Sequence, residues 1–286
     1  MINLILQLTI AISSMVGFSN QSPTKNISDG SHYELPKEKR KGEIVKHTAY
    51  TLNYIEKYEQ ASWVAYQLTG NNVGGGFERT NKFIEDPLVS TGSATNKDYS
   101  KSGYDRGHLA PAADMSWSEE TMKESFFFSN MSPQTPEFNR GIWKKLEEQV
   151  REWAKDNEKL YIATGPILKG DMETIGPSHV AVPKYYYKAI LDYTDPEIKA
   201  IGFILPNEGS TEPLKTFAVS VDSLEKITGI DFFYQLPDDV EKKLESKFDA
   251  SLWRWEKAKK KRKMQLPTPT QTIQRDFKYQ YIGSNF

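Results

Sequence analysis

Alternating and clustered apolar positions begin near Ala49 and continue to about residue 248. Two aromatic-rich runs, Tyr54–Tyr58 and Ala61–Leu68, predict a first pair of strands. Further runs of β-branched and aromatic residues are bounded by Gly, Pro and Asp, which is typical of short strands. They predict four more strands, at Tyr161–Ala163, Val180–Val182, Tyr185–Leu191 and Ala200–Leu205.

Helical periodicity is strongest between Arg140 and Lys155. Two shorter helices are predicted at about Ser223–Ile227 and Pro237–Lys247. Strands and helices mixed in this order predict an α+β domain that spans residues 48–248. The apolar stripe of the long helix consists of Ile142, Trp143, Leu146, Val150 and Trp153.

The N-terminal segment resembles an export signal. Residues 1–24 carry no charged side chain, and Leu4–Phe18 is largely apolar and too short for a typical membrane span. Gly17 and Ser19 are suitably small for cleavage after residue 19, although no Lys or Arg precedes the apolar run. We therefore expect a signal peptide at 1–19 and a secreted or periplasmic protein without stable membrane association. An uncleaved anchor and a buried N-terminal helix stay open as alternatives.

The segments that flank the domain are polar. Residues 20–47 are rich in Ser, Asn, Lys and Pro and predict a linker. Residues 249–286 form a basic and polar C-terminal tail with its densest charge at Lys257–Lys263. This run is interpreted as the solvated end of a helix in preference to a nucleic-acid-binding arm.

Composition narrows the chemistry. The chain has 286 residues, with 37 Lys and Arg against 38 Asp and Glu, so any contact with nucleic acid must come from local basic patches. The absence of cysteine excludes disulfides, thiolate zinc sites and a cysteine nucleophile. Three consecutive glycines at 74–76 predict a loop, and no Gly-Lys-Ser/Thr follows them, which excludes a P-loop.

One of the four histidines has neighbours that suit catalysis. His108 lies two residues after Arg106 in the segment GYDRGHLAPAADM, whereas His32, His47 and His179 are interpreted as structural or solvated. A histidine beside charged residues is, on its own, more often structural than catalytic.

Further candidate residues follow on the long helix. From Asn139 at its start, Trp143, Glu147 and Arg151 recur at steps of four and predict one row on the helix surface. Asn130 is predicted in the preceding loop. An amide oxygen, a carboxylate, a guanidinium and a base are the groups that metal-assisted phosphodiester cleavage requires.

The segment from Ser93 to Leu168 closely resembles the DNA/RNA non-specific endonucleases of the ββα-metal (His-Me finger) class, of the endonuclease G type. The family signature Asp-Arg-Gly-His is present at residues 105–108. The flanking ATNKDYSKSGYDRGHLAPAADM and the blocks SNMSPQ, FNRGIWKKLEEQVR and YIATGPIL follow in the family order, and IDFFYQLPDDVEKKLE resembles the family's C-terminal end. The resemblance implies a central antiparallel sheet flanked by helices.

The resemblance also implies roles for individual residues. His108 would be the general base, and Asn139 the single protein ligand of Mg²⁺, for which Mn²⁺ or another divalent cation could substitute. Glu147 would orient a water molecule of the cation, and Asn130 would support the site. The phosphate would be bound by three arginines, with Arg79 the weakest of the three assignments: Arg79, Arg106 and Arg151.

The expected substrates are DNA and RNA, cut without sequence preference to leave 5′-phosphate and 3′-hydroxyl ends. A homodimer and an inhibitor protein are further candidate partners that the sequence does not decide. Two alternative functions stay open at this point. One is a catalytically silent relative that binds nucleic acid, and the other is a phosphodiesterase that acts on small nucleotides.

Overall fold

The computed structural model describes residues 32–255. The predicted signal peptide and the basic run Lys257–Lys263 lie outside the described residues. The chain divides into two units after Trp253, and only residues 254 and 255 of the second unit are described. Within the described range, no helix is long and apolar enough to span a membrane.

The strands are short except in the central sheet. In chain order they are β1 Lys37–Glu38, β2 Glu43–Lys46, β3 Tyr50–Ile55, β4 Gln60–Thr69, β5 Asp105–His108, β6 Met131–Gln134, β7 Lys159–Pro166, β8 Thr174–Ile175, β9 Val180–Ala181, β10 Tyr185–Asp192, β11 Lys199–Pro206, β12 Ala218–Val219 and β13 Ile230–Asp231.

The α-helices are α1 Asn96–Tyr99, α2 Glu119–Glu124, α3 Lys144–Asp156, α4 Val221–Thr228 and α5 Asp238–Glu245. Short 3₁₀ turns occupy Glu56–Tyr58, Gly70–Asn72, Phe128–Asn130, Leu214–Phe217 and Ala250–Leu252, and a π-helical segment, Phe138–Trp143, precedes α3.

Seven strands form the antiparallel sheet at the centre of the domain, in the order β12-β11-β10-β7-β4-β3-β2. Successive side chains of a strand point to opposite faces, so each inner strand contributes to two cores. On one face Phe203 of β11 stacks on Trp153 of α3, with ring centroids 6.1 Å apart. The other face packs against α4, whose Val221 and Leu224 are buried. The α+β architecture with a central antiparallel sheet is therefore confirmed.

A separate hairpin-like pair holds the sequence motif. Strand β5 pairs antiparallel with β6, placing Gly107 opposite Ser132 and His108 opposite Met131. A Cβ atom at Gly107 would overlap the buried side chain of Gln134, so only glycine allows this approach. The pair β5–β6 and the following helix α3 together present the residues of the motif and of the helix toward one cleft.

Three predicted boundaries differ from the bounds of the observed elements. The strand predicted at Tyr54–Tyr58 ends at Ile55, because Glu56–Tyr58 makes a 3₁₀ turn and Glu59 takes a left-handed conformation with φ 52°. The described part of the predicted linker contains β1 and β2, and Val45 is buried. The predicted tail begins too early, because Trp253 is buried against Trp153 with ring centroids 4.6 Å apart.

The predicted helix from Arg140 to Lys155 consists of two segments. Gly141 has non-helical dihedrals, φ −105° and ψ −109°, inside the π-helical segment, and the regular α-helix starts at Lys144. The row of residues at steps of four is therefore not a straight surface row. Trp143 is fully buried and packs against Tyr186 of β10, with ring centroids 5.8 Å apart.

Candidate active site

An open cleft of about 1050 Å³ brings most of the candidate residues together. Its walls come from the loop after β4, from α1, from β5 and the loop after it, and from the start of the long helix. Of the seven residues singled out in the sequence, Asn130 does not line this cleft. The other six do: Arg79, Arg106, His108, Asn139, Glu147 and Arg151.

His108 reaches the cleft from a largely apolar environment. It is 6% exposed, and its ring lies edge-on to Phe126 with centroids 4.9 Å apart and tilted to Phe83 at 5.9 Å. Its Nε2 has no hydrogen-bond partner among the described residues. Burial, with a smaller contribution from the Arg79 charge, lowers the pKa of His108 to about 3, below the near-neutral value expected from the sequence. The imidazole is therefore neutral at physiological pH and able to accept a proton.

Asn130, predicted in a loop, lies beneath the cleft in a short turn. It ends the 3₁₀ turn Phe128–Asn130 and is fully buried. Its Oδ1 accepts from the amide of Ala110, and its Nδ2 donates to the carbonyls of Ala110 and Ser125, each at 2.9 Å. The backbone carbonyl of Asn130 accepts from the amide of Leu109 at 3.0 Å. Asn130 therefore fixes the chain directly after His108.

Asp105 fixes the side chain of Asn139. The Nδ2 of Asn139 donates to Asp105 Oδ2 at 2.9 Å, and Arg140 donates to both carboxylate oxygens of Asp105 at 2.8 and 2.6 Å. The donation to Asp105 leaves the amide oxygen of Asn139 as the free acceptor among the described contacts. A hard divalent cation that keeps most of its waters prefers such an oxygen, so the donors present fit a hydrated cation.

Replacing Asp105 by asparagine is expected to raise the divalent-metal concentration for half-maximal activity by about tenfold, because residues that orient a metal ligand affect affinity on this scale. The Asn139 amide would lose its charged acceptor and its fixed orientation. A metal titration of the cleavage rate checks this. Glu137→Gln, at an exposed carboxylate two residues before Asn139, is the control. An unchanged titration in Asp105→Asn would contradict the role of Asp105 in orienting Asn139.

A group of charged side chains lies at the other end of the cleft. Arg151 donates to Asp114 Oδ1 at 2.9 Å, and the hydroxyl of Tyr66 donates to Asp114 Oδ2 at 2.9 Å. Glu147 is partly buried beside them and has no ion pair among the described residues. Burial raises the pKa of Glu147, and the charge of Asp114 raises it further, while Lys188, Arg151 and Arg79 lower it. The ionisation of Glu147 therefore depends on the charged side chains around it.

The remaining two arginines lie over aromatic rings. The guanidinium of Arg106 is 4.3 Å from the ring centroid of Phe83, and that of Arg79 is 5.0 Å from Phe126. Arg106 also donates to Asn96 Oδ1 at 2.7 Å, and Arg79 donates to Asn81 Oδ1 at 2.7 Å. Both cations line the cleft without a carboxylate partner among the described residues, so they are available to an anion.

Three functional neighbours were missed in the sequence. Asp105 belongs to the motif itself, but no role was assigned to it, and Asp114 lies six residues after His108. Lys188 lies in the middle of the strand YYYKAILD, between Tyr187 and Ala189, where a charged residue among apolar neighbours is a signal that could have been used.

One acidic cluster in the described part of the chain could hold a metal, and it does not belong to the cleft. Carboxylate oxygens of Asp222, Glu225 and Glu245 lie within 4.8 Å of one another on α4 and α5. None of the three lines the cleft. A cation in the cleft would therefore depend on amide and water oxygens and not on several carboxylates.

Two antiparallel strands that carry the histidine, followed by a helix that carries the carboxylate, define a ββα-metal nuclease fold. The family model of the DNA/RNA non-specific endonucleases matches residues 31–239. The chain belongs to this family and is accordingly an enzyme of the endonuclease class.

Curated relatives and a solved structure agree with this assignment. The chain is 36% identical to human mitochondrial Endonuclease G over 199 residues, 64% of this chain and 67% of that protein. It is 37% identical to the zebrafish (Danio rerio) mitochondrial nuclease EXOG, over 65% of this chain and 60% of that protein. A nuclease of Nostoc is 34% identical, over 70% of this chain and 76% of that protein.

The solved structure is that of an EndoG/EndoGI complex, determined for the mechanism of EndoG inhibition. It aligns with 68% of this chain and 87% of its own chain, at 31% identity and a TM-score of 0.64.

Proposed function

We propose that this protein is a Mg²⁺-dependent endonuclease that hydrolyses DNA and RNA without sequence preference and leaves 5′-phosphate and 3′-hydroxyl ends. One observation carries the proposal. The buried, neutral imidazole of His108, whose Nε2 has no partner within residues 32–255, lines the same open cleft as the oriented amide of Asn139. A base and an oxygen ligand in one cleft are what attack of water on a phosphodiester needs.

His108 acts as the general base. Its imidazole removes a proton from the attacking water as the water oxygen bonds to phosphorus and the bond to the 3′-oxygen breaks. The low pKa keeps the imidazole free to accept a proton over the physiological range. The negative charge of a bound phosphate favours the protonated form that results, because an opposite charge nearby raises the pKa of a histidine.

Asn139 would hold the cation through its amide oxygen, and Glu147 would orient water beside it. When bound, Mg²⁺, or Mn²⁺ in its place, supplies positive charge that stabilises the negative charge developing on the phosphate. Asp105 keeps the amide of Asn139 in position by accepting its N–H.

The arginines of the cleft bind the phosphate. Arg79 and Arg106 have no carboxylate partner among the described residues, and Arg151 is paired with Asp114 at the cleft wall. Contacts to phosphate and sugar carry no direct information about the base. A cleft whose arginines contact the sugar-phosphate backbone of the substrate therefore supports cleavage of both DNA and RNA without sequence preference.

A plasmid-nicking assay tests the proposal. The purified chain is expected to nick supercoiled DNA and degrade long RNA with Mg²⁺, to stop in EDTA and to leave ends that a ligase accepts after cleavage. Binding without cleavage across several divalent cations would favour the catalytically silent relative. Faster cleavage of a dinucleotide than of long DNA would favour the small-nucleotide phosphodiesterase.

The pH dependence of cleavage follows from two shifted groups. His108, with its pKa lowered to about 3, stays neutral throughout the slightly acidic range, whereas the raised pKa of Glu147 makes its carboxylate protonate there. Since the ionised carboxylate is the active form, kcat/KM is expected to rise with increasing pH. The midpoint of this rise should lie at a higher pH than the ~4.3 at which an ordinary glutamate titrates. The profile is measured at saturating Mg²⁺ for the wild type and Glu147→Gln. An identical acid limb in both proteins would reject the assignment.

Export of the protein, directed by its N-terminal segment, is part of this proposal. The segment lies outside the described residues. The relatives named above include mitochondrial proteins and a nuclease of Nostoc. The inhibition of EndoG in the solved complex supports an inhibitor protein as a partner of this chain.

A further inference from the structure

Lys188 lies in the middle of the central sheet. It is fully buried in β10, where it pairs with Thr164 of β7 on one side and Phe203 of β11 on the other. Its ammonium lies 4.9 Å from the ring centroid of Trp143 and therefore contacts the start of the long helix, one turn before Glu147. A lysine rarely occupies such a site without a counter-charge.

The ammonium of Lys188 makes no hydrogen bond within the described part of the chain. The buried charges around it nevertheless form a balanced set. Asp114 and Arg151 are paired directly at 2.9 Å, which leaves one cation, Lys188, and one anion, Glu147. Each influences the other: Lys188 lowers the pKa of Glu147, and Glu147 raises that of Lys188, against the opposite effects of burial.

We propose that Lys188 is a positioning residue whose buried ammonium, fixed against Trp143, orients the carboxylate of Glu147 from beneath the cleft. The inference rests on the proposed role of Glu147 in cleavage. The cation–π contact with Trp143 and the two neighbouring strands fix the ammonium in place, so its charge needs no rearrangement during the reaction. Arg79 and Arg151 also face Glu147, but Arg151 is neutralised by Asp114 and Arg79 lies at the open cleft.

The alternative is a purely structural lysine that fills space in the core. The two roles differ in their consequences for catalysis. Lys188→Met keeps the length of the side chain but removes the positive charge beside Glu147. Removing one partner of a buried pair of charges is destabilising, so the melting temperature should fall whichever role is correct. Only the positioning role predicts a loss of kcat that depends on Glu147.

The experiment is a double-mutant cycle with Lys188→Met, Glu147→Gln and the double variant, measured as kcat and KM for plasmid cleavage at saturating Mg²⁺. We expect Lys188→Met to lower kcat about tenfold or more with little change in KM, since outer residues that orient a site act on this scale. In the Glu147→Gln background the same substitution should have no further effect, because the carboxylate it serves is gone. Lys184→Met, at an exposed lysine outside the cleft, is the matched control.

Several outcomes would overturn the inference. Wild-type kcat in folded Lys188→Met would do so, as would equal losses in the wild-type and Glu147→Gln backgrounds. If Lys188→Met does not fold, Lys188→Gln takes its place in the cycle, with the same expectations. A wild-type protein that cleaves nothing would reject the proposed function and the inference with it. Activity in the wild type that Lys188 does not influence would reject the inference alone.

Discussion

His108→Ala is expected to lower kcat for plasmid cleavage by about 10²–10⁴-fold, the range that a positioned general base contributes. The imidazole is the neutral base that lines the cleft, and its Nε2 has no partner among the described residues that could take over proton transfer. KM should change little, because the phosphate is bound by the arginines. The measurement is kcat and KM at saturating Mg²⁺ beside the melting temperature.

The control for His108→Ala is His32→Ala, because His32 is exposed and, among the described residues, its side chain pairs with Glu34 alone. This variant should cleave at the wild-type rate. The backbone around His108 is fixed independently of its imidazole by the contacts of Asn130 with Ala110, so folding of His108→Ala should be retained. Residual activity within a few-fold of the wild type would mean that another group removes the proton.

The positions of the cleft residues could be predicted from the sequence, but their surroundings could not. The motif at residues 105–108 and the spacing of Glu147 and Arg151 on one helix depend on local sequence, and local patterns indicate them. The low pKa of His108 depends on burial against Phe83 and Phe126, which come from a distant loop and from the segment that follows α2. No local pattern records such contacts.

Asn130 and Gly141 show the same limit in the backbone. A polar residue in a segment with Ser, Asn and Pro predicts a loop, but no local pattern shows that Asn130 is buried and satisfies the backbone of Ala110 and Ser125. Periodicity predicts an uninterrupted helix after Asn139, yet Gly141 interrupts it. The orientation of Asn139 therefore depends on its bond to Asp105 and not on helical spacing alone.

The domain boundaries were misplaced because the outer elements bury few side chains. Strand β2, Glu43–Lys46, lies at the edge of the sheet and buries only Val45, so its sequence has the polar character of a linker. At the other end Trp253 is the single buried residue among the described residues 249–255. The match to the family model begins at residue 31, before the predicted start of the domain at residue 48, and it therefore includes β1 and β2.

Asn139→Ala is the second change for which a large effect is expected. It removes the amide oxygen that the bond to Asp105 leaves facing the cleft, and none of the described acidic clusters lies there to replace it. The Mg²⁺ concentration for half-maximal cleavage should rise by more than the roughly tenfold expected for Asp105→Asn, because a ligand is lost and not only its orientation.

The titration separates two roles of Asn139. If the amide holds the cation, the rate of Asn139→Ala recovers in part at high Mg²⁺ or with Mn²⁺, and isothermal titration shows weaker binding of metal in the absence of substrate. If Asn139 only shapes the start of the helix, the rate falls equally at all metal concentrations and the melting temperature falls with it. Asn71→Ala, at an exposed asparagine of the turn Gly70–Asn72, provides the matched amide deletion and should leave both titrations unchanged. A metal titration of Asn139→Ala that coincides with that of Asn71→Ala would exclude Asn139 as the ligand.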